Sequence, residues 1–220
     1  MYFATEEDNY FKAARDSVDL FVLIHSFISG QIIMVENGAA IEIKNYDSLG
    51  KQRITFGDFE KINVHGNSNN LLWPIFETKK RFLELIPDRQ KIMGGHLGIA
   101  LSYYYYAIRA SRRRLDEVII DLMIAAEALL VTKSVNIRGA LSKRLSTMNA
   151  SNQNERTTIA RRICDLYDLR SAIVHGSGKK PMLNEGRELF EYVRKALDEA
   201  LSLRALSKHT LIEKLDKDWG

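Results

Sequence analysis

With one cysteine, Cys164, in 220 residues, the chain cannot close a disulfide within itself or build a cysteine-rich zinc site. Cys164 sits inside a helical pattern and reads as a core residue. Four of the five histidines, His25, His65, His96 and His209, show no ligand spacing with one another or with carboxylates, so neither a metal nor another cofactor is expected. No apolar run approaches the roughly 18 residues of a membrane span. The start, MYFATEEDNY, is acidic and polar, which is wrong for a signal or transit peptide, and a cytoplasmic protein is expected. Entry from Met1 straight into this stretch leaves open that the chain is a piece of a longer polypeptide. There is no internal repeat and no low-complexity tract.

The net charge is a modest +4, but it is unevenly spread. Residues 136 to 180 hold Arg138, Lys143, Arg144, Arg156, Arg161, Arg162, Arg170, Lys179 and Lys180 against Glu155, Asp165 and Asp168. Nine minus three is +6, so the remainder nets −2. Such a region suits an anionic partner such as nucleic acid, or is a solvated basic helix face.

Periodicity divides the chain into a small α+β region, residues 1 to 70, and a helical bundle, residues 71 to 220. Apolar residues between 6 and 29 recur at helical spacing and stop at Gly30. Gln31–Glu36, Asn37-Gly38 and Ala39–Lys44 then read as a β-hairpin with a tight turn, since Asn-Gly accepts positive φ. Arg53–Phe56 is a further strand, and His65–Asn70 a polar loop that marks the boundary. From Leu71 the pattern is helical: Trp73 to Ile86, closed by Pro87; His96 to Arg114, after Gly94-Gly95; Leu115 to Val131; Ile137 to Met148; Glu155 to His175; and one long or two shorter helices over Leu183 to Leu215. Tyr103–Tyr106 covers every side of its helix, half core and half interface or groove surface. The stretch Leu122–Val131 is apolar all round except for Glu127, the mark of a helix inside a bundle.

The helix ending at His175 carries the chemistry. On a wheel of about 100° per residue, Ile159, Ile163, Leu166, Ile173 and Val174 form an apolar stripe with Arg170 near its middle. A guanidinium there needs an acid, a phosphate or another chain to accept its donors. Glu127, alone among apolar residues, either becomes neutral or pairs with a cation, and Arg170 and Arg144 are the neighbouring candidates. A buried Glu127–Arg pair is the simplest account and involves no catalysis. In the alternative, Arg170 grips a phosphate and His175, roughly 140° further round and followed by the helix stop Gly176, moves protons near neutral pH. One Arg/His set supplies half of the acid–base team that metal-free RNA cleavage requires; two chains around a two-fold axis supply both halves. Gly176-Ser-Gly-Lys-Lys180 lacks the first glycine and the Ser/Thr of a phosphate-binding loop. Lys179 and Lys180 suit contact with an RNA backbone.

A helical bundle whose penultimate long helix ends in Arg, four to six residues, His and Gly resembles the HEPN superfamily. The ordered segments Asp121–Leu130, Arg138–Met148 and Leu166–Gly176 are similar to the branch named for the ApeA anti-phage proteins, over roughly residues 95 to 215. The resemblance implies an all-α domain that dimerises and cleaves RNA without metal, in anti-phage or toxin-type defence, with Arg170 and His175 as the catalytic pair. The residue after the arginine, often asparagine in the family, is Ser171 here. The site expected on this basis comprises Arg170, His175, Glu127 and Ser171, with Arg138, Arg144, Lys179 and Lys180 binding RNA and a regulatory protein as a further partner. Non-catalytic RNA-binding or protein-interaction modules also occur in the superfamily, and that is the second expectation.

Overall fold

A computed structural model describes residues 80–81, 83–110, 114–132, 135–203 and 207–219, the backbone of four strands, and residues 16, 20, 23 and 24. Asp16, Leu20, Leu23 and Ile24 are helical, and the three apolar ones are buried at the spacing expected of a helix face. The strands are β1 (Ile32–Val35), β2 (Ile41–Tyr46), β3 (Lys51–Phe56) and β4 (Ile62–His65). β1 pairs antiparallel with β4, and β2 antiparallel with β3. The strands on either side of Asn37-Gly38 thus take other partners, and the tight turn expected there lies outside the described residues.

Internal contacts group into two units, Met1–Met93 and Gly94–Gly220. The boundary expected after residue 70 lies outside the described residues. Pro87 follows the end of an α-helix at Leu85, as expected, but does not end the helical path. It occupies the first turn of a 3-10 segment, Ile86–Asp88, that runs directly into α1 (Arg89–Met93). The missing N–H of proline leaves nothing unsatisfied in a first turn, which explains why the helical path continues.

The second unit is all helix among its described residues: α2 (His96–Ala110), α3 (Leu115–Leu130), α4 (Ile137–Asn149), α5 (Gln153–Val174), α6 (Leu183–Ser202) and α7 (Lys208–Trp219). The long C-terminal run is therefore two helices. α3 is the central one and touches α2, α4, α5, α6 and α7. Val118, Ile119, Leu122, Met123, Ala125, Ala126, Leu129 and Leu130 bury on several of its sides, as a helix surrounded by others must. Tyr104 of α2 is buried against Phe190 of α6, whereas Tyr106 is 47% exposed. No described helix is long and apolar enough to cross a membrane.

α4 begins at Asn136, whose φ of 54° lies in the left-handed region and whose side chain accepts the Gly139 N–H at 3.3 Å. Asparagine tolerates this backbone better than other side chains because its amide bonds locally. α7 is held across the bundle by polar clamps as well as by buried Leu211, Ile212 and Leu215. Arg144 gives Asp216 two hydrogen bonds, at 3.0 and 2.9 Å, and a third to the Leu130 carbonyl at 2.7 Å. Trp219 lies under both the Lys143 ammonium and the Arg156 guanidinium, each 5.7 Å from its ring.

Candidate functional site at the end of α5

α5 buries Ile159, Ile163, Leu166 and Leu169. Leu169, on the other flank of the stripe, is buried, whereas Val174, which the wheel placed in the stripe, is 50% exposed. The core row follows steps of three and four residues, so it passes through 166 and 169 to a half-buried Ile173 and sets Arg170 on its shoulder. Arg170 is half-buried, with its Nε shut away from solvent and no acceptor for it. No ion pair to Arg170 is present among the described residues.

Glu127 is likewise half-buried with Oε1 unpartnered, and the ion pair expected between it and an arginine is not formed. Burial raises the Glu127 carboxyl above the usual carboxylate range, while the nearby charges of Arg170 and Lys208 pull it back. The carboxyl is thus influenced by two cations without being clamped by either. Lys208 itself gives a hydrogen bond to the Glu127 carbonyl at 3.2 Å. Burial and the Arg144 charge lower the ammonium's pKa, and Glu127 opposes them. His96 belongs to the same electrostatic neighbourhood: burial, and then Lys208, depress its pKa.

α5 stops through a pair of crossed backbone bonds. Gly176 N–H reaches the Ile173 carbonyl at 3.1 Å and Ser177 N–H the Ala172 carbonyl at 3.0 Å, with Gly176 at φ 69°. This is the Schellman arrangement, and the positive φ is why the position is glycine. His175 precedes it as the C-cap, one residue past the end of α5 at Val174, its N–H given to the Ser171 carbonyl at 3.0 Å and its side chain exposed. On helical geometry its Cα lies about 7.5 Å along the axis from that of Arg170. Ser171, half-buried, therefore serves the cap through its backbone.

The four cations expected to bind RNA divide into two kinds. Arg138 is locked onto Asp168 by two hydrogen bonds, at 2.8 and 2.7 Å, and Arg144 onto Asp216 as described above. Bidentate carboxylate pairing of this kind occupies the fork that would otherwise meet a phosphate. Lys179 and Lys180 are exposed and have no ion-pair partner among the described residues. They line an open groove of about 540 Å³. Its apolar walls are Leu115, Ile173 and Pro181, and Arg114, Asp116, Gly176 and Gly178 complete it. Arg114 is tied to Asp116 at 2.9 Å and to Glu117 at 3.0 Å. The hydrogen bond from Arg114 holds the Asp116 carboxyl below its ordinary pKa, so it is ionised at neutral pH.

The groove is not visible in the sequence because its walls come from residues about 60 apart in the chain. The Gly-Ser-Gly-Lys-Lys run was a partial signal, since two positive-φ glycines, 176 and 178, bend the backbone that forms one side. No group of three or more metal-ligating side chains occurs among the described residues. Neither a family model, nor a curated protein, nor a solved structure matches the chain.

Proposed function

We propose that this protein is a metal-independent, HEPN-type endoribonuclease that acts as a cytoplasmic homodimer, with Arg170 and His175 at its centre. The observation that carries the reading is the state of Arg170: a half-buried guanidinium whose Nε has no acceptor, on the same helix end as an exposed imidazole. A cation kept short of partners costs stability unless an anion arrives to meet it. A phosphate held by Arg170 would place its ester oxygens within reach of an imidazole at the helix end.

In the reaction, the ribose 2′-hydroxyl attacks phosphorus and its proton passes to a neutral His175. The bond to the 5′-oxygen breaks, and that oxygen takes a proton from the imidazolium of the second copy. The products are a 2′,3′-cyclic phosphate and a 5′-hydroxyl end. Arg170 stabilises the charge that builds on the non-bridging oxygens. Glu127 acts as a positioning residue: its charge favours the guanidinium's place without occupying its donors. Anti-phage or toxin-type defence, with a regulatory partner protein, is the setting that the resemblance to the ApeA-like branch suggests.

A second reading, a non-catalytic RNA-binding or protein-interaction module, draws on the electrostatic pull between Arg170 and Glu127. The two separate in one experiment on purified wild-type, His175→Ala and Arg170→Ala proteins. The nuclease reading expects both variants to lose about 10²- to 10⁴-fold in cleavage of single-stranded RNA in the presence of chelator. Equal cleavage by all three removes it, and RNA binding without cleavage by the wild type establishes the second.

A further inference from the structure

The groove beside His175 has properties that the Arg170/His175 pair does not use. Leu115, Ile173 and Pro181 make part of its wall apolar, while Lys179 and Lys180 bring two cations that no carboxylate neutralises among the described residues. Asp116, the acid in the wall, is already answered by Arg114 at 2.9 Å. The unbalanced charge of the groove therefore comes from the lysine pair and is positive. A volume of about 540 Å³ falls within the range of about 300–1,000 Å³ of pockets that enclose small organic ligands.

Apolar wall, cationic rim and this size together select an anion with a flat, weakly polar body. An inorganic ion would leave the apolar wall uncovered, and an uncharged aromatic would leave the lysines unused. We propose that the groove binds a nucleoside phosphate, its phosphate at Lys179 and Lys180 and its base or sugar against Leu115, Ile173 and Pro181. The ligand is one residue of a single-stranded RNA, or a free nucleotide of the same chemistry. In the RNA case the inference rests on the nuclease reading and adds a subsite to it: the nucleotide next to the one at Arg170 and His175 sits here, because Gly176 in the groove wall directly follows His175.

The test uses the full chain labelled with ¹⁵N-glycine, in which the Gly176 and Gly178 amides report from the groove wall. Titrants are adenosine monophosphate, a 2′-O-methyl hexanucleotide that the 2′-hydroxyl mechanism cannot cleave, inorganic phosphate and adenosine. The two nucleotide ligands are expected to move both glycine signals at lower concentration than phosphate or adenosine does. Lys179→Ala/Lys180→Ala should reduce the slope of log affinity against log salt for the hexanucleotide by about 0.7, the value for one single-strand phosphate neutralised. Response to the monophosphate alone identifies a free nucleotide, and response to the hexanucleotide identifies RNA. If neither moves Gly176 and Gly178, or if the double variant keeps the wild-type salt slope, the groove assignment is overturned. Cleavage that persists in that case leaves the nuclease reading intact; shifted glycines with no cleavage by the wild type leave the groove and remove the nuclease.

Discussion

Replacing Arg170 with methionine separates a guanidinium kept for a ligand from one kept for the fold. Methionine preserves the apolar stem and removes the charged head. The buried Nε that lacks an acceptor costs about 1–3 kcal/mol, the usual penalty of an unsatisfied polar group. Its removal is offset by the lost attraction to Glu127, which is unpaired and keeps Lys208 as a second cation. That attraction, for partly solvated charges not in contact, is worth about 0–1 kcal/mol. The balance is a gain of about 1 kcal/mol, which for a chain of this size is a rise in Tm of roughly 2–4 °C. Arg170→Met should therefore be more stable than wild type and inactive on RNA. Urea denaturation followed by circular dichroism, beside a cleavage assay on the same preparations, measures both. A loss of about 2 kcal/mol or more would refute the argument, because Arg170 would then be a structural clamp whose partner the bundle needs.

Asp121 on α3 is pushed up to about 6 from its ordinary 3.8 by burial, with the Glu117 charge adding to it. The folded state holds this proton more tightly than the unfolded chain, so the stabilisation is complete below pH 3.8 and disappears as pH rises through 6. Asp121→Asn should therefore gain about 1 kcal/mol over wild type at pH 7, after allowance for solvent screening of a half-exposed group, and nothing below pH 4; denaturation midpoints across that range measure it. Asp216→Ala strips the carboxylate from Arg144, whose side chain is only 13% exposed, and should cost about 2 kcal/mol in thermal denaturation while RNA affinity in a salt titration stays unchanged. A Cβ at Gly186 would come within 2.6 Å of the Leu115 Cδ1. Since Leu115 ends in a rotatable, half-buried side chain and alanine favours helix by about 1 kcal/mol, Gly186→Ala should change stability by less than about 1 kcal/mol in urea denaturation.

The helices were legible where one local rule decides them. Leu122–Val131 is apolar on nearly every side and is the centre of the bundle, and Gly176 ends its helix because left-handed backbone suits glycine. What the sequence concealed were pairings between distant residues. Arg144 and Asp216 are 72 positions apart, and no periodicity distinguishes an arginine that will meet phosphate from one that will meet aspartate. The same holds for Arg138 and Asp168, 30 apart. Glu127 reads from the sequence as an acid in an apolar setting, and burial and Arg170 do act on it, but a further cation, Lys208, comes from the start of a helix whose separate existence the apolar pattern does not resolve. Pro87 marks the end of an α-helix at Leu85, but a proline that stops one helix can equally begin the next turn, and the sequence did not show that second role.

The last carbonyls of α3 are answered from elsewhere in the chain: Glu127 by Lys208 and Leu130 by Arg144. A helix terminus normally frays on its own. Here the Val131 amide, bonded to the Glu127 carbonyl at 3.0 Å, sits under two cations whose positions depend on α7. Its hydrogen exchange should therefore follow the undocking of α7 and not a private local opening, which makes one amide proton a gauge of whether the C-terminal helix is seated.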